Sequence, residues 1–349
     1  MMAKTTAKTS AWKPHYAWIV LGVTFATLLV AGATRATPGV LSVPLEQHFG
    51  WSRATISLAV SLNLVLFGLM GPFSAALVEY LGARRTMIGA ILLVATGVAL
   101  TALMQSAWQL ILLWGLVVGA GTGMMALALG ATVVNRWFTA RRGLAMGILT
   151  ASNATGQLIF LPLLAALVEA HGWRVVTLVV AAFGLAMIPV IAIFMRNHPF
   201  DVGANRYGEP GRAAAPVPVT QNPAMMALRT LVSAGRSLDF WLLFFSFYVC
   251  GLSIFAVFYG LDWVATVPPT VRLTADVFGR EKSGLVFGWI FTAHQLGAAT
   301  AAYGAGAIRT DLGNYILAVM ISGAFCLLAA VMVLGIGRKP LQPVTAAAE

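Results

Sequence analysis

Charge is what this sequence has least of. Of its 349 residues, 9% are Asp, Glu, Lys or Arg and 59% are hydrophobic. A water-soluble domain of this size needs a charged skin, and this composition does not supply one. Acidic residues are the scarcest: 11, against 22 Lys and Arg, for a net charge of +11. Cysteine is nearly absent. Cys250 and Cys326 fall inside apolar runs, without metal-ligand spacing or a disulfide framework, and read as small buried hydrophobes. There is no G-x-x-x-x-G-K-S/T loop and no polar domain to hold one, which excludes ATP-driven work. Nothing clusters as catalytic groups would, so an enzyme is not expected, and no cofactor is implied.

What is present is apolar chain in long blocks. They run Tyr16–Ala36, Ile56–Val78, Met87–Met104, Trp108–Val133, Gly143–Val168 and Val175–Met195, then Phe240–Val267, Gly284–Ile308 and Tyr315–Ile336. Each is long enough to cross ~30 Å of hydrocarbon at ~1.5 Å per residue. Open strands in lipid leave backbone groups unpaired, so the expected fold class is all-α: a polytopic membrane helical bundle of about nine spans. Lys4, Lys8 and Lys13 precede the first block as in a signal peptide, but the run is longer than an h-region and many spans follow. A retained first helix is the reading.

A basic protein raises the question of nucleic acid. Here the Lys and Arg are divided among short connecting loops, which is a topology signal and not a binding face. With the N-terminus inside, thirteen of them fall on inner segments up to Arg236, while Arg53 and Arg174 alone lie outside before Met195. Arg196 to Asp239 carries Pro199, Gly203, Gly208, Pro210, Gly211, Pro216 and Pro218 and reads as a flexible cytoplasmic linker. The expected domains are therefore an N-terminal six-helix bundle at 1–195, the linker at 196–239 and a shortened C-terminal bundle at 240–349. The expected location is the cell inner membrane, multi-pass, with the lipid bilayer as partner.

An internal repeat supports two bundles. Gly143, Leu144, Gly147, Gly156 and Gly172 recur as Gly284, Leu285, Gly288, Gly297 and Gly313, each 141 residues later. The offset is not uniform: Trp18 and Trp241, each early in the first helix of its half, are 223 apart. The second half is thus short by roughly three helices at ~20 residues per span.

Four stretches carry a family resemblance: PLEQHFGWSRATIS from Pro44, LVEYLGARR from Leu77, NRWFTARRGLAMG from Asn135 and LDWVATVPPTVRLTADVFGRE from Leu261. Together they make the chain resemble the major facilitator superfamily, in its monocarboxylate-porter and oxalate/formate-antiporter-like branch. The resemblance implies secondary transport of small organic anions such as monocarboxylates by alternating access, with protons as a candidate coupling ion. The alternative is a non-transporting deletion remnant of such a transporter. Family helices 8 and 9, with parts of 7 and 10, lack a counterpart, and the join falls near Cys250–Ser253. Nine spans then put Arg272, Arg280 and Lys282 outside, against the charge rule; ten would restore parity, but Phe240–Val271 is short for two crossings.

The resemblance also nominates residues. The family loop signature is similar to Glu79, Gly82, Arg84 and Arg85, with Ala75 and Tyr80 replacing its first glycine and first arginine. A carboxylate at a helix end can hold a basic loop in one gate state; the plain alternative is a topology-setting loop. Arg35, toward the outer end of the first span, is the expected carboxylate anchor, or else it snorkels to the interface. Asp262 and His294 are candidate proton carriers, or polar contacts between packed helices. Asn63, Asn153 and Gln157 line a cavity or bond between helices.

Overall fold

In lipid a backbone can satisfy its hydrogen bonds only within itself, and the apolar blocks accordingly become long helices. A computed structural model describes residues 15–211, 215, 222–252, 270, 273–274, 277–279, 283–312, 314 and 316–333. The helices are α1 (Tyr16–Phe49), α2 (Arg53–Leu81), α3 (Ala83–Thr101), α4 (Ala107–Trp137, interrupted near Met125), α5 (Arg142–His171) and α6 (Trp173–Phe194). After these come α7 (Pro223–Ala234), α8 (Leu238–Leu252), α9 (Ser283–Leu312) and α10 (Ile316–Val333). No strand occurs among the described residues, and α1 to α6 are each long and apolar enough to cross a membrane.

Local chemistry sets the corners. α1 ends at Gly50, left-handed at φ 68°, whose N–H closes on the Glu46 carbonyl. Ser52 then caps α2 by accepting from the Thr55 N–H. Between α2 and α3 a single residue turns the chain: Gly82 at φ 85°, with its N–H on the Val78 carbonyl. The α5–α6 corner repeats this device with Gly172 at φ 80°.

Two features extend the sequence reading. α1 runs 34 residues, through Pro38 and Pro44, where the sequence suggested a span ending near Ala36. α4 is irregular twice. Ile111–Val118 is a π-helical stretch, and Met125–Ala126 breaks the helix. Helix α2 repairs both places: Asn63 Nδ2 donates to the Trp114 carbonyl (2.8 Å) and Ser74 Oγ to the Met124 carbonyl (2.5 Å).

The repeat is visible in the helices themselves. α5 and α9 are both 30 residues long, and both their starts and their ends are 141 apart. Helix α9 lies along α2 in the opposite direction. Its Leu285 meets Ala75 and Ala76, its Gly288 meets Pro72, and its Thr292 and Gln295 meet Gly68. Lipid is as apolar as leucine, so such contacts depend on close fit and not on expelling water. Glycine supplies the fit here: a Cβ on Gly288 would stand 2.9 Å from the Pro72 Cα.

This direction bears on the charge conflict that counting nine spans raises. α9 starts at the Leu81 end of α2, the basic end of the bundle, so Lys282 precedes a helix that begins on the positive side. α8 runs the same way as α9, since Phe240 and Leu243 cluster with Val286 and Ile290 while Tyr248 reaches Thr300. The ends Leu252 and Ser283 therefore lie at opposite ends of the α8–α9 pair. The described part of the span expected at 240–267 stops at Leu252.

The stretch expected to be a flexible linker is folded where it is described. Tyr207 exchanges backbone hydrogen bonds with Trp137, Thr139 and Ala140 and packs edge-on against Trp18. α7 buries Ala227 and Ala234 against α2, α8 and α9. Cys326 is also corrected: it is exposed on α10, on a surface that acyl chains would cover, and not buried.

Candidate functional site

Because α1 continues to Phe49, Arg35 sits deep in the bundle and not near its outer end. Fourteen residues of helix separate it from Phe49, about 21 Å at ~1.5 Å per residue. The guanidinium carbon lies 4.3 Å from the centroid of the Phe67 ring, at the middle of α2. A cation–π contact of this kind contributes about 0.5–2 kcal/mol.

From Phe67 the site continues across to α9. Phe67 packs edge-on against Phe291 (5.6 Å), and Phe291 stacks on His294 (6.2 Å, 20°). The Phe247 ring of α8 packs edge-on against His294 at 6.3 Å. His294 is buried, and it lies within range of the Arg35 charge. The structure thus brings together two residues the sequence nominated separately, 259 positions apart. By the 141-residue repeat, His294 stands where Asn153 stands in the first half.

The other nominated residues divide. Gly32, one turn before Arg35, touches the backbone of Asn153, Gly156 and Gln157, so α5 forms the wall behind Arg35. Asn153 is buried and Gln157 half-buried there. Asn63 is committed to the Trp114 carbonyl, which makes it a contact between helices. Asp262 lies outside the described residues.

The loop signature forms a separate cluster at the Leu81 end. Glu79 pairs with Arg136, from the end of α4, at 2.7 Å. Arg84 contributes its backbone N–H, which donates to Asn197 Oδ1 (3.0 Å), and Arg85 is exposed. Gly82 is required twice over: its φ is 85°, and the Asn197 side chain occupies the space a Cβ would take. Asp201 accepts from the Asn197 and His198 N–H groups. Burial, and then the Arg136 charge, lower the pKa of His198, against smaller opposing effects of Asp201 and Glu79.

Sequence reasoning missed three participants. Arg136 read as one more basic loop residue; its signal was its place just before Trp137, at the end of an apolar block. Asn197 gave no signal. Gln295 had one: an amide beside His294 in an otherwise apolar block, and its residue is 1% exposed.

A long-helix bundle with an internal repeat and a deeply placed cation where helices from both halves meet defines the membrane-transporter class. The sequence pattern of the Major Facilitator Superfamily matches residues 23–267, more than half of the chain. The chain belongs to that superfamily. Among curated proteins it is similar to Monocarboxylate transporter 14 of Homo sapiens, 32% identical over 200 residues, which is 55% of this chain and 38% of that one. It is also similar to Monocarboxylate transporter 9 of Mus musculus, 30% identical over 50% of this chain and 34% of that one. An uncharacterized MFS-type transporter of Bacillus subtilis (strain 168), YcxA, is 25% identical over 53% of this chain and 46% of that one. The matched stretches span about a third to a half of these relatives' lengths. Among solved structures, the inward open xylose transporter XylE from E. coli shares the fold, with a TM-score of 0.61 at 11% identity, covering 94% of this chain and 98% of that one.

Proposed function

We propose that this chain carries small organic anions of the monocarboxylate class across a membrane by alternating access. Residues 1–195 and 240–349 act as the two moving parts, and 196–239 joins them. The observation that carries the reading is Arg35, held at mid-depth against Phe67 where α1, α2, α5 and α9 converge. A guanidinium grips a carboxylate through two parallel hydrogen bonds. Several similar proteins are named monocarboxylate transporters, which supports the same substrate class. The test is uptake of labelled lactate and pyruvate into proteoliposomes. Arg35→Ala and Arg35→Lys are expected to lose at least about tenfold in uptake. Wild-type rates in both variants would reject the proposal.

One observation favours the second reading, a remnant that no longer transports. α10 is exposed along most of its length, including Ile316, Met320, Leu327 and Val331. α6, which follows the repeat partner α5, instead buries Trp173, Val176, Val180 and Ile191. Absence of anion uptake by the wild-type chain, with specific detergent-resistant folding retained, is the outcome that reading requires.

A further inference from the structure

We propose that α7 lies in the membrane interface at the basic end of the bundle, and that anionic phospholipid headgroups hold it there, across the junction of α2 and α9. The helix has three sides that do different work. One faces protein. Ala227 clusters with Ala75, Ala76 and Leu285, and Ala234 with Phe240, Leu243 and Val286. The Trp289 indole N–H of α9 donates to the Ala227 carbonyl (3.1 Å) in this buried contact. Leu285 and Val286 both belong to the first turn of α9, so α7 lies across the helix ends at one level. Ala75 and Ala76 come five or six residues before Leu81, about 8–9 Å of helix. An interfacial helix buries its apolar face about 5–10 Å into the boundary between headgroups and acyl chains.

The side turned away from the protein is apolar. Met225, Leu228 and Val232 follow one another at helical spacing and are 50%, 46% and 63% exposed. Acyl chains cover such a stripe without loss, whereas water does not. Between these two sides runs a polar edge, Arg229 and Ser233, both exposed. Arg236, in the turn before α8, is exposed too, and neither arginine pairs with a carboxylate among the described residues. α7 itself has no Asp or Glu, and Asp239 is the nearest acidic residue along the chain. Trp241, also exposed, donates its indole N–H to the Gly235 carbonyl (2.7 Å), the kind of side chain that settles at headgroup level. The charge of this surface fits an anionic membrane. A second copy laid on it would meet cations and no carboxylate on α7. Because α7 is packed on both α2 and α9, lipid that holds α7 also favours the state in which those two helices are in contact.

Two measurements on the full chain in lipid nanodiscs test this, and neither needs transport. The first reads depth. Val232→Cys or Ser233→Cys, in a background of Cys250→Ser and Cys326→Ser, carries a bimane label. Brominated acyl chains should quench the label at 232 at least about threefold more than at 233, and aqueous iodide should do the reverse. The second reads charge. Replacing part of the phosphatidylcholine with phosphatidylglycerol should raise the melting temperature at low salt. The double variant Arg229→Gln, Arg236→Gln should lose at least about half of that gain. Both arginines are exposed, so the variant keeps the packed side of α7 intact. Equal iodide quenching at the two positions overturns the placement of α7 in the interface. The same gain from phosphatidylglycerol in wild type and variant overturns the role of the headgroups. Cross-linking of unlabelled Val232→Cys to a second copy, without quenching of the labelled protein by brominated chains, assigns this face to a dimer and overturns the proposal as a whole.

Discussion

Gly288→Ala should loosen the contact between α2 and α9, and the structure gives its size. The new methyl would stand 2.9 Å from both the Cα and the nitrogen of Pro72. Non-bonded carbons settle at about 3.5–4.0 Å. Both obstacles are backbone, inside a helix, so relief requires α9 to retreat by about 0.6 Å or more. Overpacking of this kind costs about 1–3 kcal/mol. The retreat also stretches the Thr292 hydroxyl bond to Gly68, now 2.9 Å. Thr292 keeps its second acceptor, the Gly288 carbonyl, so this adds only about 0.5 kcal/mol. Alanine returns up to about 1 kcal/mol in helix propensity. The net loss is about 1–2 kcal/mol. Gly304→Ala is the control, in the same helix, with nothing within 4 Å of its added methyl. It should be neutral or gain about 1 kcal/mol. Thermal melting in detergent, read by size-exclusion fluorescence, should separate the two variants by several degrees. If they melt together, or if Gly288→Ala melts higher, the close approach of α9 to Pro72 is not what holds the two halves together.

Asn63→Leu should destabilise the bundle by about 1–3 kcal/mol, because the Trp114 carbonyl in the π stretch loses its 2.8 Å donor; a melting temperature equal to wild type would return Asn63 to the list of cavity-lining residues. His198→Gln should flatten the acid side of the stability profile. The folded pKa of His198 lies below 6.5, first through burial and then through Arg136, so well above pH 6.5 both states are neutral and the residue adds no slope. Below pH 6.5 the unfolded chain takes the proton before the folded one does, and stability falls. Melts from pH 7.5 to 5.5 should show a smaller acid loss in the variant, and parallel curves would rule His198 out as a contributor.

Particular residues show how far the sequence could be read. The apolar blocks were enough for the helical membrane class and for six helices before Met195 long enough to span, because lipid permits few alternatives to a helix of the right length. Recurrent glycines pointed to the pairing of α5 and α9, and the helix bounds reproduce the 141-residue offset at both ends. Yet equivalent glycines do different work. Gly288 is pressed against Pro72, while its repeat partner Gly147 has open space where a Cβ would go. A motif match states that two helices are related and not what each one faces.

Sequence alone, then, determined the solvent this chain folds in, the length and class of its helices, and the kind of residue, a lone arginine in an apolar block, at which to look for an anion. Tertiary structure decided depth and company. Arg35 became a mid-bundle cation because α1 runs on through two prolines, and hydrophobicity cannot foretell where such a helix stops. Glu79 found Arg136, and Gln295 came to lie against Gly68, through pairings between helices more than fifty residues apart. Such pairings follow from which faces fit closely in a medium that rewards no apolar face over another, and that selection is made only when the helices pack.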